Sequence, residues 1–123
     1  MKRRATKCPA EVTLAVIGGR WKVLILYQLF QGVMRFSELR RAVPGITQKM
    51  LTQQLRELER DGVVRRTVYP QVPPRVEYSL TPRGETLKPV VNAMCRWGVQ
   101  QGGAQLAEGA CRGKKCPPAD GKT

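Results

Sequence analysis

Residues 36–62 constrain this chain more than any other stretch. Ser37 is a good N-cap for a small helix running to about residue 43, with Leu39 facing inward. Pro44-Gly45-Ile46 reads as a tight turn, Thr47 caps a second helix over residues 48–61, and Gly62 closes it. Two helices joined by a short turn containing Gly make a helix-turn-helix. After Gly62 the hydrophobic period changes from that of a helix to that of a strand. Residues 63–69 and 76–80 read as two strands. The connector Pro70-Gln71-Val72-Pro73-Pro74-Arg75 is too Pro-rich for a helix or a central strand, so the pair is a hairpin with a stiff tip.

The flanks are helical. Cys8-Pro9 resembles a helix start, with Glu11 in the first turn and Gly18-Gly19 as the stop. Residues 20–31 are apolar nearly all round, with Trp21, Leu24, Ile25 and Leu29 on one face, which marks a central helix ended by Gly32. Residues 33–36 are short and β-prone. Thr81-Pro82 caps a last helix, where Leu87, Val90, Val91, Met94 and Trp97 form one apolar stripe. Pro89 inside it should kink or split it. The fold class expected is mainly α with a small β-hairpin wing.

On a helical wheel at about 100° per residue, Leu51, Leu55 and Leu58 define the buried face of residues 48–61. Thr52, Arg56, Lys49, Arg60 and Gln53 share the opposite arc, with Glu57 and Glu59 only on its flanks. A solvated polar face is the bland account of such an arc. The missing acids, the preceding helix-turn and the basic hairpin favour a helix that enters the major groove of DNA. There Arg and Lys meet phosphates or guanine, Gln meets adenine, and Thr meets either. Arg65, Arg66 and Arg75 make the hairpin a basic wing, with Arg75 the favoured minor-groove or phosphate contact. For the wing arginines, and Arg66 in particular, a merely soluble strand edge is the competing account. The candidate DNA-contacting residues are Ser37, Thr47, Gln48, Lys49, Thr52, Gln53, Arg56, Arg60 and Arg75.

Charge supports this reading. The 123 residues hold 22 Lys and Arg against 9 Asp and Glu, a net charge of +13, which attracts polyanions. The absence of His removes imidazole-based acid–base catalysis and imidazole zinc sites. A thiol disulfide exchanger would need Cys-x-x-Cys on a βαβ frame, and neither is present, so a non-enzymatic role is expected. The longest uninterrupted apolar run, Val23-Leu24-Ile25-Leu26-Tyr27, is far short of a membrane span. Met1-Lys2-Arg3-Arg4 imitates a signal peptide, but the apolar stretch after it is too short, and a cytoplasmic, membrane-free protein is expected.

Several segments in order carry a family resemblance. They are Cys8-Pro9, Ile17-Gly18-Gly19-Arg20-Trp21-Lys22, Arg35-Phe36-Ser37-Glu38-Leu39, Ile46-Thr47-Gln48-Lys49-Met50-Leu51-Thr52-Gln53-Gln54-Leu55-Arg56-Glu57-Leu58 and Val72-Pro73-Pro74-Arg75-Val76-Glu77-Tyr78-Ser79-Leu80-Thr81. Over residues 8–98 the chain resembles the HxlR-type winged helix-turn-helix regulators. The resemblance implies a bacterial transcription regulator that binds an inverted repeat as a homodimer, with its first and last helices supplying the dimer contact. Val12, Leu87, Val91, Met94 and Trp97 are the candidate interface residues, although the same stripe could pack on its own core. A two-fold dimer would set two recognition helices about 34 Å apart on a palindromic site.

The resemblance also implies, in some members, a Cys at the Cys-Pro position that senses oxidants, quinones or aldehydes. Cys8 precedes a helix and lies beside Lys7, near Arg3 and Arg4, surroundings that favour thiol reactivity. Packing as a small apolar residue is the other account of it. Cys95 reads as core or interface. Cys111 and Cys116 are a weak metal signal without a His or a second pair, so no metal and no cofactor are expected. The domain plan is a basic arm at 1–7, the DNA-binding and dimerisation domain at 8–101, and a disordered basic tail at 102–123 that adds non-specific DNA affinity. The expected function is a double-stranded DNA-binding regulator with an unidentified small-molecule or oxidant effector. The alternative is a general basic nucleic-acid binder without operator specificity. That class usually stacks bases on exposed aromatics, and only 6% of this chain is aromatic.

Overall fold

The computed structural model describes residues 8–102. In chain order the elements are α1 (Pro9–Ile17), α2 (Trp21–Leu29), β1 (Met34–Arg35), α3 (Phe36–Ala42), α4 (Gln48–Arg60), β2 (Val64–Tyr69), β3 (Arg75–Leu80), α5 (Pro82–Glu85) and α6 (Lys88–Gln100). The three strands form an antiparallel sheet in the order β1-β3-β2. Val64 lies opposite Leu80 and Tyr69 opposite Arg75, while Met34 pairs with Tyr78. The β-prone segment after Gly32 is therefore a third strand laid on the hairpin.

As its sequence implies, α2 is the central helix. Ile25, Leu26 and Leu29 on α2 share one core with Leu39 of α3, Leu51, Leu55 and Leu58 of α4, and Tyr78 of β3. Its other side packs on α6, where Tyr27 and Val91 are buried together against Val23, Phe30 and Cys95. Burial is the main force that pushes the Tyr27 hydroxyl and the Cys95 thiol above their ordinary pKa values. Cys95 consequently stays a protonated thiol that packs as a small apolar group.

The ends of α4 are tied down by local chemistry. Thr47 Oγ1 accepts the Met50 N–H at 3.1 Å. At the other end the Val63 N–H reaches Leu58 O at 3.1 Å and the Gly62 N–H reaches Glu59 O at 2.9 Å. That double closure requires the left-handed backbone that Gly62 adopts, with φ +78°. Thr81 then fastens the wing's exit to this corner: its hydroxyl donates to Gly62 O at 2.6 Å and accepts the Gly84 N–H at 3.0 Å.

Two sequence expectations are corrected and one is met. The small helix α3 begins two residues early, so Ser37 lies inside it and Arg35 is the N-cap, its N–H held by the Glu38 carboxylate at 2.8 Å. The β1–β3 pairing keeps Arg35 extended, which moves the helix start. The expected break in the last helix is present: it is split into α5 and α6, and Pro89 stands in the first turn of α6, where its missing N–H costs nothing. Finally, Val91 is fully buried against Tyr27 and so is not part of an exposed stripe, while Leu87 is partly buried against the core.

A Cβ on Gly84 would stand 2.1 Å from Val63 O, the carbonyl that also accepts the Thr81 N–H. The severe clash is with backbone and not with a flexible side chain, so α5 must move away from the start of the wing. Gly84→Ala is expected to lower stability by about 1–3 kcal/mol in urea unfolding. An unchanged midpoint would mean that α5 can shift freely.

Candidate nucleic-acid interface

The turn between α3 and α4 aims the site. Gly45 takes φ +86°, and the ring of Trp21 lies against it. Leu51, Leu55 and Leu58 anchor one side of α4, as the wheel predicted. The opposite side exposes Gln48, Lys49, Gln53, Arg56 and Arg60, which with Thr52 and Glu57 line a shallow concavity. A second concavity adjoins it, formed by Phe36, Ser37, Arg40, Arg41 and Gln48.

Some predicted contacts carry structural duties as well. The Thr47 side chain caps α4, and the Thr52 hydroxyl donates to Gln48 O at 2.9 Å, leaving its lone pairs and methyl for a ligand. Arg75 is half-buried at the base of the wing tip. Its guanidinium stacks over the Tyr69 ring at 4.8 Å, with Nε 3.6 Å from Glu77 Oε2. This Nε is buried without a hydrogen-bond partner, so Arg75 is partly committed to bracing the hairpin. Arg65 and Arg66 are exposed on β2.

The candidate list omitted Arg40 and Arg41. Both are exposed beside Gln48, and the run of basic residues between 35 and 66 was the signal that could have found them. It also missed Lys22, whose ammonium on α2 pairs with Glu57 on α4. Lys22 holds the Glu57 carboxyl below the usual carboxylate range, chiefly by its hydrogen bond and then by its charge. The single acid of the concavity is thus engaged from behind.

On the other surface, Val12 is 67% exposed on α1 and Trp97 65% on α6. Met94 is exposed too, and so is Leu14, which the sequence reading passed over. Cys8 is exposed at the N-cap of α1, where its carbonyl accepts the Glu11 N–H at 2.8 Å. Arg3, Arg4, Lys7, Cys111 and Cys116 lie outside the described residues. No cluster of potential metal ligands occurs among the described residues, and no single helix there is long and apolar enough to cross a membrane.

A helix-turn-helix that turns a basic face outward beside a three-stranded wing defines a winged helix-turn-helix DNA-binding protein. The comparisons with known proteins agree. The chain belongs to the HxlR-like helix-turn-helix family, whose signature matches residues 16–105. It is 62% identical over 91 residues to the HTH-type transcriptional regulator YdeP of Bacillus subtilis (strain 168), covering 74% of this chain and 71% of that protein. Among solved structures it is similar to the redox regulator HypR in its oxidised form, with TM-score 0.73 and 59% identity over 76% of this chain and 96% of that one. The reduced form of HypR gives TM-score 0.75 and 54% identity over 81% and 99%. This chain is a sequence-specific, double-stranded DNA-binding transcriptional regulator.

Proposed function

We propose that this regulator works as a cytoplasmic homodimer on an inverted-repeat operator. The α4 helices enter successive major grooves about 34 Å apart, and the wings lie beside them. The observation that carries this reading is the exposed face of α4, where Lys49, Gln53, Arg56 and Arg60 stand together and the neighbouring Glu57 is paired with Lys22. Gln53 and Arg56 read base edges, while Lys49 and Arg60 meet phosphates. Ser37, Thr47, Gln48, Thr52 and Arg75 complete the contact. Val12, Met94 and Trp97, exposed on the first and last described helices, face the second copy. The basic arm at 1–7 and the tail at 102–123 add sequence-independent affinity.

Cys8 is the proposed sensor of thiol-reactive species. It is solvent-exposed, it precedes the helix that bears Val12, and HypR is a redox regulator. Modification at that point changes how α1 meets the second copy and hence the spacing of the two α4 helices. A spacing change is what gives the signal different DNA affinities in its two states.

Nuclease footprinting on the DNA upstream of its own gene, before and after diamide, tests both parts. Two protected half-sites one helical turn apart are expected, together with a loss of protection after diamide. Cys8→Ser is expected to keep the footprint and lose the response. A full response in Cys8→Ser would move sensing to another cysteine.

A further inference from the structure

Lys22 stands in an unfavourable place. It is 8% exposed, in the first turn of α2, where the helix dipole is positive and no acid is present to offset it. An apolar side chain would serve the core better, because a largely desolvated ion pair seldom adds stability over well-packed apolar residues. What the ammonium does have is Glu57, on the DNA-facing helix, with Nζ against Oε1 at 2.5 Å. The other oxygen, Oε2, lies 3.5 Å from Gln53 Nε2. Around Glu57 the charged neighbours are thus Lys22 from α2 and Arg60 from α4 itself, and of these only Lys22 comes from behind the interface.

We propose that Lys22 is a positioning residue for DNA binding: from the core helix it draws the Glu57 carboxylate into the α2–α4 seam and cancels its charge beside the phosphates. The inference rests on the reading of α4 as the DNA-contacting helix. Without Lys22, the Glu57 charge would be left with Arg60 alone from that pair and would stand on the face that holds Lys49 and Arg56. The complex would then release about one counterion fewer. The part of the penalty that acts on phosphates would be much the same at every DNA sequence.

The test compares wild type, Lys22→Met, Lys22→Gln and the double variant Lys22→Met/Glu57→Gln. Binding to the DNA upstream of its own gene is measured by anisotropy across a salt series, with urea midpoints checked in parallel. Both single variants are expected to bind about tenfold more weakly and to show a salt slope flatter by about one. The double variant is expected to recover the affinity and the slope. A slope is insensitive to a smaller folded fraction, so a purely structural role for Lys22 would leave it unchanged. Single variants that bind like wild type, or a double variant no better than the singles, would overturn the inference. Arg56→Ala in the same assay separates the two layers. If it weakens binding while the Lys22 variants do not, only the role of Lys22 falls. If Arg56→Ala is also neutral, α4 is not the DNA-contacting helix and both readings fall.

Discussion

Leu55→Ala is expected to remove about 2–5 kcal/mol of stability. Leu55 is 1% exposed in the middle of α4, in the core that joins this helix to α2 and the sheet. Alanine there forfeits the transfer free energy of the side chain and leaves a void, because the surrounding leucines cannot all collapse into it. A domain of this size has only about 5–15 kcal/mol in total, so the variant should be partly unfolded at 37 °C. Urea unfolding followed by circular dichroism should show a lower midpoint with an unchanged slope. Leu55→Met, which nearly conserves volume, should cost less than about 1.5 kcal/mol. Equal behaviour of the two variants would mean that α4 is not packed as described.

Arg56→Ala acts on the other face of the same helix and should spare stability, since Arg56 is exposed and none of the described ion pairs or capping bonds involves it. If its guanidinium reads a base edge, its loss lowers operator affinity by about 1–3 kcal/mol, or roughly 5- to 150-fold. Binding to unrelated DNA should fall much less, because that binding rests on phosphate contacts shared among many cations. Equal losses on both DNAs would make Arg56 a phosphate contact and leave Gln53 as the main source of specificity.

The two variants probe the parts of the molecule that local sequence chemistry makes legible. Thr47, Gly45 and Gly62 announce a capped helix and its turns because capping and positive φ involve neighbours only a few residues apart. Leu51, Leu55 and Leu58 announce the buried side because helical spacing is a one-dimensional signal. The wing follows from the change of period after Gly62 and the Pro-rich tip. What escaped the sequence depends on distant partners. Lys22 and Glu57 meet across the α2–α4 packing, which no local pattern encodes. Val91 and Trp97 share an apolar stripe, yet the stripe does not say that Val91 meets Tyr27 inside the fold while Trp97 remains exposed. The N-cap of α3 fell on Arg35 and not on Ser37 because pairing of β1 with β3 decides where that helix begins. Arg75 was legible as a wing cation, whereas its stacking on Tyr69 is set by cross-strand register.

The central claim is recognition of a particular DNA sequence by the α4 face. Its most direct test is fluorescence anisotropy of the protein on the DNA upstream of its own gene, competed with shuffled DNA of the same composition at ~150 mM salt, where non-specific binding is weak. The account predicts that the natural sequence competes at least a thousandfold better than the shuffled one, within the range typical of specific DNA-binding proteins. Equal competition at that promoter and at every neighbouring one would contradict it and leave a basic protein that coats nucleic acid without reading it.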